Sequence, residues 1–267
     1  MIDTFQAVAL ALIQGLTEFL PISSSAHLVF PSILLGWPDQ GLAFDVAVHV
    51  GTLTAVIYYY RHTLWLLASA WIRSLLGGPA TEESRTVWYL ALATVPAGLM
   101  GLFAGDFIEH NLRSLLVIAT TTLVFGLLLG VADRYAVRSP GDRPLSLPVA
   151  LFIGAAQALA PIPGVSRSGI TITAALLLNM SRQDAARFSF LLSIPIIGAA
   201  GILKTVELIG AGQPFDWQHM ALATVVSGIT AYCCIAVFLR VLDRVGMMPF
   251  VYYRIVLALA LFWIGLA

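Results

Sequence analysis

Six apolar runs constrain this chain more than any other feature. They cover about residues 41–60, 85–105, 112–132, 187–207, 217–240 and 249–267. A helix needs roughly 20 apolar residues to cross the hydrocarbon core of a bilayer, and each run meets that length. Composition agrees, with 59% apolar and 10% charged residues against about 25% charged in a soluble domain. The expected fold is an all-α polytopic membrane protein forming a single membrane domain over 1–267. Fourteen basic and fourteen acidic residues cancel, so no basic surplus points to nucleic acid. Cys233 and Cys234 are adjacent in an apolar run, which reads as packing and not as metal spacing. Met1-Ile2-Asp3 lacks the positive segment of a cleavable signal, so none is expected.

Three regions do not read as simple spans. Residues 4–36 place two short apolar arms around Pro21-Ile22-Ser23-Ser24-Ser25. Residues 147–180 place two more around Pro161-Ile162-Pro163-Gly164-Val165-Ser166-Arg167-Ser168-Gly169-Ile170-Thr171. Residues 62–78, with Trp65, Trp71 and Arg73, read as an interfacial amphipathic helix. The basic residues orient the chain. Arg134, Arg138 and Arg143 mark a cytoplasmic loop by the positive-inside rule. Walking outward from that loop, residues 147–180 must enter and leave on the cytoplasmic side. Eleven of the fourteen basic residues then lie inside, Arg240, Arg244 and Arg254 among them. Arg113 and Lys204 lie outside, Arg167 lies at depth, and both termini lie outside.

Each half is thus a re-entrant helical hairpin followed by three spans. Repeat one covers about 1–132, the cytoplasmic loop about 133–146, and repeat two about 147–267. Three spans is an odd number, so the halves are inverted, the architecture of many transporters with midplane sites. A short internal match supports the repeat: Gln14 through His27 and Gln157 through Ser168 both run apolar arm, Pro-Ile, hydroxyl cluster. The hairpin tips meet, and the second arms begin near Ser24 and Ser166. Two helix N-termini facing one point make an anion site. Arg167 adds a planar fork suited to phosphate. An arginine at this depth costs about 3 kcal/mol on insertion scales, which marks it as functional.

Gln14, Glu18, His27 and Arg167 gather at the tips, with hydroxyls from Ser23, Ser24, Ser25, Ser166, Ser168 and Thr171 expected to bind the ligand. Gln14 and Glu18, four apart, share a helix face. The set suits attack on a phosphate ester or anhydride. A serine or water is the nucleophile, His27 or Glu18 moves protons, and Arg167 stabilises the transferring phosphoryl group. Glu18 can alternatively ligate Mg²⁺. Ser24 is the favoured nucleophile because it opens a helix at the tip. His49 reads as packing or a supporting residue, and Asp45 as a residue of the outer mouth. A polyprenyl-phosphate transporter or flippase using the same anion site is the alternative to an enzyme.

Two motifs carry a resemblance. Gln14-Gly-Leu-Thr-Glu18-Phe-Leu-Pro-Ile-Ser-Ser-Ser-Ala-His27 and Pro163-Gly-Val-Ser-Arg-Ser-Gly-Ile-Thr171 resemble the two signatures of the bacterial undecaprenyl-diphosphatases of the bacitracin-resistance type. The resemblance covers the whole chain in length, hydropathy and motif order. It implies hydrolysis of undecaprenyl diphosphate to undecaprenyl phosphate and inorganic phosphate. That reaction recycles the lipid carrier for cell-wall synthesis, and it confers resistance because bacitracin sequesters the same diphosphate. It implies catalytic roles for Glu18, Ser24, His27 and Arg167, and a divalent cation, Mg²⁺ or Ca²⁺, with Glu18 as its protein ligand. It places the protein in the bacterial plasma membrane with the site open to the periplasmic side. The chain departs from the pattern at Gln14, where an acid is common, at Ala26, where Gly precedes the His, and at His49, where Gln is common. Oligomeric state is not legible.

Overall fold

The computed structural model describes residues 2–138, 143–211 and 216–266. Among them are eleven helices and no strand. In order they are α1 (Thr4–Thr17), α2 (Ser24–Leu35), α3 (Gly41–Tyr59), α4 (Arg61–Leu75), α5 (Glu82–Asn111), α6 (Leu115–Arg138), α7 (Leu147–Gln157), α8 (Arg167–Leu177), α9 (Arg182–Ala211), α10 (Trp217–Val245) and α11 (Met248–Leu266). Six of these, α3, α5, α6, α9, α10 and α11, are long and apolar enough to cross a membrane. They fall on the six apolar runs. Their outer faces stay apolar, with Phe103, Ile202 and Trp263 well exposed, as expected where the surrounding solvent is lipid.

The helices outrun the apolar stretches at polar ends. α6 continues to Arg138, past the expected loop start at 133, because Asp133 is not a loop residue. Its side chain is buried, pairs with Arg182 at 2.7 Å and accepts from the Met247 N–H at 3.3 Å. The rest of that loop lies partly outside the described residues. Local signals start other helices. Asp3 caps α1 in a reciprocal box with Gln6, and Thr81 does the same for α5 with Ser84, each satisfying N–H groups that a helix start leaves orphaned. α4 lies largely exposed, buries Leu67 and sets Trp71 edge-on against Trp88 of α5.

Four of the five shorter helices form two pairs, α1 with α2 and α7 with α8. At 1.5 Å per residue, a helix of 11 to 14 residues is only about 17–21 Å long, short of a bilayer core of about 30 Å. In each pair the start of the first helix lies beside the end of the second. Phe5 of α1 meets Trp37, just past α2, with ring centroids 6.2 Å apart. The Arg143 N–H, before α7, donates to Asn179 O, past α8, at 3.2 Å. α1 packs on α10 and α7 on α5, while α3 packs against α9 and α6 against both α8 and α11. Glycine allows both first-arm contacts. A Cβ on Gly15 would stand 2.6 Å from Thr230 Cβ, and one on Gly154 would strike the Ala93 backbone. Phe19, in the first turn, fills the centre edge-on to Phe190, 5.1 Å between centroids.

Candidate active site between two turns

The turns between paired helices have the same construction. Ser23 precedes α2 with φ 74° and ψ 91°, and Ser166 precedes α8 with φ 71° and ψ 114°. A non-glycine residue in that region costs about 1–3 kcal/mol and collects at functional sites. In each turn the next-but-one serine completes a hydroxyl pair, Ser23–Ser25 at 3.2 Å and Ser166–Ser168 at 3.3 Å. Gln14 precedes Ser23 by the same nine residues that separate Gln157 from Ser166. Pro21 and Pro161 do not share that spacing, at seven and four residues from Gln14 and Gln157.

Glu18 caps the C-terminal end of α1 and is buried. Its Oε1 accepts from Arg167 Nη2 at 2.9 Å. Its Oε2 accepts from Ser24 Oγ at 2.7 Å and from Gln14 Nε2 at 3.0 Å. Three donors on one carboxylate select its ionised form. Arg167 also donates through Nη1 to Ser189 O at 3.1 Å and lies 5.6 Å over the Phe19 ring. Thr171 Oγ1 shares a hydrogen bond with Ser189 Oγ at 2.7 Å, and Ser168 Oγ donates across the turns to Leu20 O at 2.9 Å. Glu18, Ser24 and Arg167 edge a cavity of about 450 Å³. Glu18, Ser23, Ser24, Ser25, Ser166 and Arg167 form its polar floor. Apolar and small residues of α3, α5 and α9 form its walls, with Asp45 and Lys204 also on the lining. Gln14, Ser168 and Thr171, expected to touch the ligand, stand behind that floor and hold it.

His27 is not in the cluster. Its Nδ1 is 2.7 Å from Ser23 O, and a carbonyl only accepts, so Nδ1 carries the proton. Nε2 then accepts from Tyr253 Oη at 2.6 Å. The imidazole fixes the carbonyl of the strained serine. His49, read from sequence as packing or a supporting residue, lines the cavity with Nε2 3.8 Å from Glu18 Oε2. Arg254 was placed at the inner face by the charge census and is instead fully buried. Its Nε donates to Thr122 O at 3.1 Å, Nη1 to Pro21 O at 3.3 Å and Val165 O at 3.1 Å, and Nη2 to Gly164 O at 2.8 Å. One side chain thus ties both turns to α6 and α11. The available signal was depth: Arg254 stands six residues into α11, about 9 Å along the helix.

The donor set bears on the expected cation. No group of three or more His, Cys, Asp or Glu able to hold a metal occurs among the described residues. Glu18 is the carboxylate on the floor, beside space for phosphate oxygens. That fits an ion such as Mg²⁺, which takes one or two carboxylates and fills its shell with phosphate oxygens and water.

Residues 7–260 match the family described as bacitracin resistance protein BacA. Similar proteins named undecaprenyl-diphosphatase come from Alcanivorax borkumensis, 57% identical over 98% of this chain and 100% of that one, and Teredinibacter turnerae, 55% identical over 97% and 98%. A third, from Hahella chejuensis, is 55% identical over 98% of each. With two turns meeting on one carboxylate–arginine pair, and identity sustained from end to end, this multi-pass membrane protein belongs to the BacA family.

Proposed function

We propose that the chain hydrolyses undecaprenyl diphosphate to undecaprenyl phosphate and inorganic phosphate, the activity in its relatives' name. It thereby recycles the lipid carrier for cell-wall synthesis and confers bacitracin resistance. The observation that carries the reading is Ser24 Oγ donating to Glu18 Oε2 at 2.7 Å while Arg167 holds the other carboxylate oxygen at 2.9 Å. Nucleophile, base and phosphate grip share one floor. Gripping a phosphate for transport needs no such base.

Ser24 Oγ attacks the terminal phosphorus and gives its proton to Glu18. The bond from that phosphorus to the bridging oxygen breaks, and undecaprenyl phosphate leaves. A phosphate monoester has its second pKa near about 6, so it departs without a general acid. His27 accordingly positions Ser23 and Ser24. Water then bonds to the phosphoserine phosphorus, Oγ leaves with the proton from Glu18, and both water protons stay with the released phosphate. Arg167 Nε has no partner, so the guanidinium can keep Glu18 on Nη2 while turning a further donor to the phosphoryl oxygens. The N–H groups opening α2 and α8 add to that field. A divalent cation, Mg²⁺ or Ca²⁺, held by Glu18 and the diphosphate, would neutralise substrate charge.

The same reading takes α1–α2 and α7–α8 as re-entrant hairpins of an inverted repeat in a single membrane domain. Support comes from the shared serine geometry, from each pair ending where it begins, and from the exchange of partners, α1 on α10 and α7 on α5. On this reading the cavity opens to the periplasmic side and both termini lie outside, since the positive-inside rule puts Arg143, Arg182, Arg187, Arg240 and Arg244 on the cytoplasmic side. Phosphate release by the purified protein in detergent tests the activity; none from wild type with Mg²⁺ or Ca²⁺ present sinks it. Rapid quenching tests the serine: wild type should yield a phosphoenzyme and Ser24→Ala none.

A further inference from the structure

Gln157 ends α7, is 0% exposed and lines the cavity beside Arg167. Neither its Nε2 nor its Oε1 has a hydrogen-bond partner. Buried amides are rarely left in that state, since the lost hydration has no replacement. The matching residue of the first half shows what is missing. Gln14 donates to Glu18, four residues on. Four residues after Gln157 stands Pro161, which offers no carboxylate. The second half has kept the amide and lost the group it would serve.

We infer that Gln157 is a substrate-binding residue for the terminal phosphoryl group. This rests on the diphosphatase reading and extends it to a residue outside both signature motifs. Nε2 donates to a phosphoryl oxygen. Oε1 accepts from an O–H, which a singly protonated terminal phosphate or a water held against it supplies. The amide thus grips from α7 the group that Arg167 grips from α8. It is neutral, so it adds directed hydrogen bonds without adding charge. In the substrate-free protein the amide is a liability; with phosphate bound it is satisfied.

That contrast separates a binding role from a structural one. Gln157→Met replaces the amide with an apolar chain of similar length that packs adaptably. The kcat/KM for undecaprenyl diphosphate should fall about tenfold to hundredfold, the weight of a hydrogen bond to a charged group. The thermal midpoint of the substrate-free variant in detergent should equal or exceed that of wild type. Inorganic phosphate should raise the wild-type midpoint and raise that of the variant less. A kcat/KM within twofold of wild type overturns the assignment. So does a fall in activity matched by a fall in the substrate-free midpoint, or equal stabilisation of both proteins by phosphate. The phosphate titration needs no turnover. Absent hydrolysis by wild type therefore counts against the proposed activity, while the titration still decides Gln157.

Discussion

Glu18 is buried and its partner Arg167 nearly so, and neither is cheap to keep without the other. Arg167→Ala should lower turnover by about 10³–10⁵, the range found when an arginine that stabilises a transferring phosphoryl group is removed. It should also cost about 3–5 kcal/mol of stability by leaving Glu18 unpaired. Adding Glu18→Gln should recover much of that stability and none of the activity, as thermal melts and phosphate release on the four proteins of the cycle will measure. His27 predicts a different pattern. If its work is to donate from Nδ1 to Ser23 O, His27→Asn, whose amide can donate to that carbonyl, should retain about tenfold more activity than His27→Ala, as one hydrogen bond allows; equal losses would return it to proton transfer. Glu18, Ser24 and Arg167 were legible because polar residues inside apolar sequence demand a reason. His27 was not, since a bond to the backbone four residues earlier leaves no trace in residue type. Arg254 was misplaced because a census of charges cannot tell a snorkelling arginine from one enclosed by carbonyls.

Helix–helix contacts decide whether the turns arrive at the same point. α7 reaches its depth by lying against the Ala93 backbone at Gly154. Gly154→Val should push α7 off α5, at a cost of about 1–3 kcal/mol or more. Folded yield and phosphate release should fall together. Gly105, on α5 with open space where its Cβ would be, is the control. Gly105→Ala should leave activity intact and raise stability by about 0.5–1 kcal/mol. Spans were readable from length alone, because lipid permits few alternatives. Their ends were less so: the polar tail of α6 looks like loop until Arg182 is found beside Asp133. Close approaches such as Gly154 on Ala93 join residues 61 positions apart, and a single sequence carries no sign of them.

At the scale of the whole molecule, the proposed inverted arrangement predicts which loops face which compartment. With Cys233 and Cys234 replaced by Ser, a cysteine at exposed Asp39 should react with an impermeant maleimide on intact cells. One at exposed Ala80 should react only after permeabilisation; the opposite result would reverse the topology. The proposed inverted repeat rests in the sequence on an odd number of spans per half, whereas the pairing of α1 with α10 and α7 with α5 appears only in three dimensions. Arg254 gives the joining of the two turns a temporal order. Both signature turns precede it in synthesis, and α11 is made long after the second turn has left the ribosome. A nascent chain that stops short of α11 would carry every motif residue and still lack the bolt between its two turns. A chain that stops short of α11 should therefore release no phosphate, a loss that truncation before Met248 would measure.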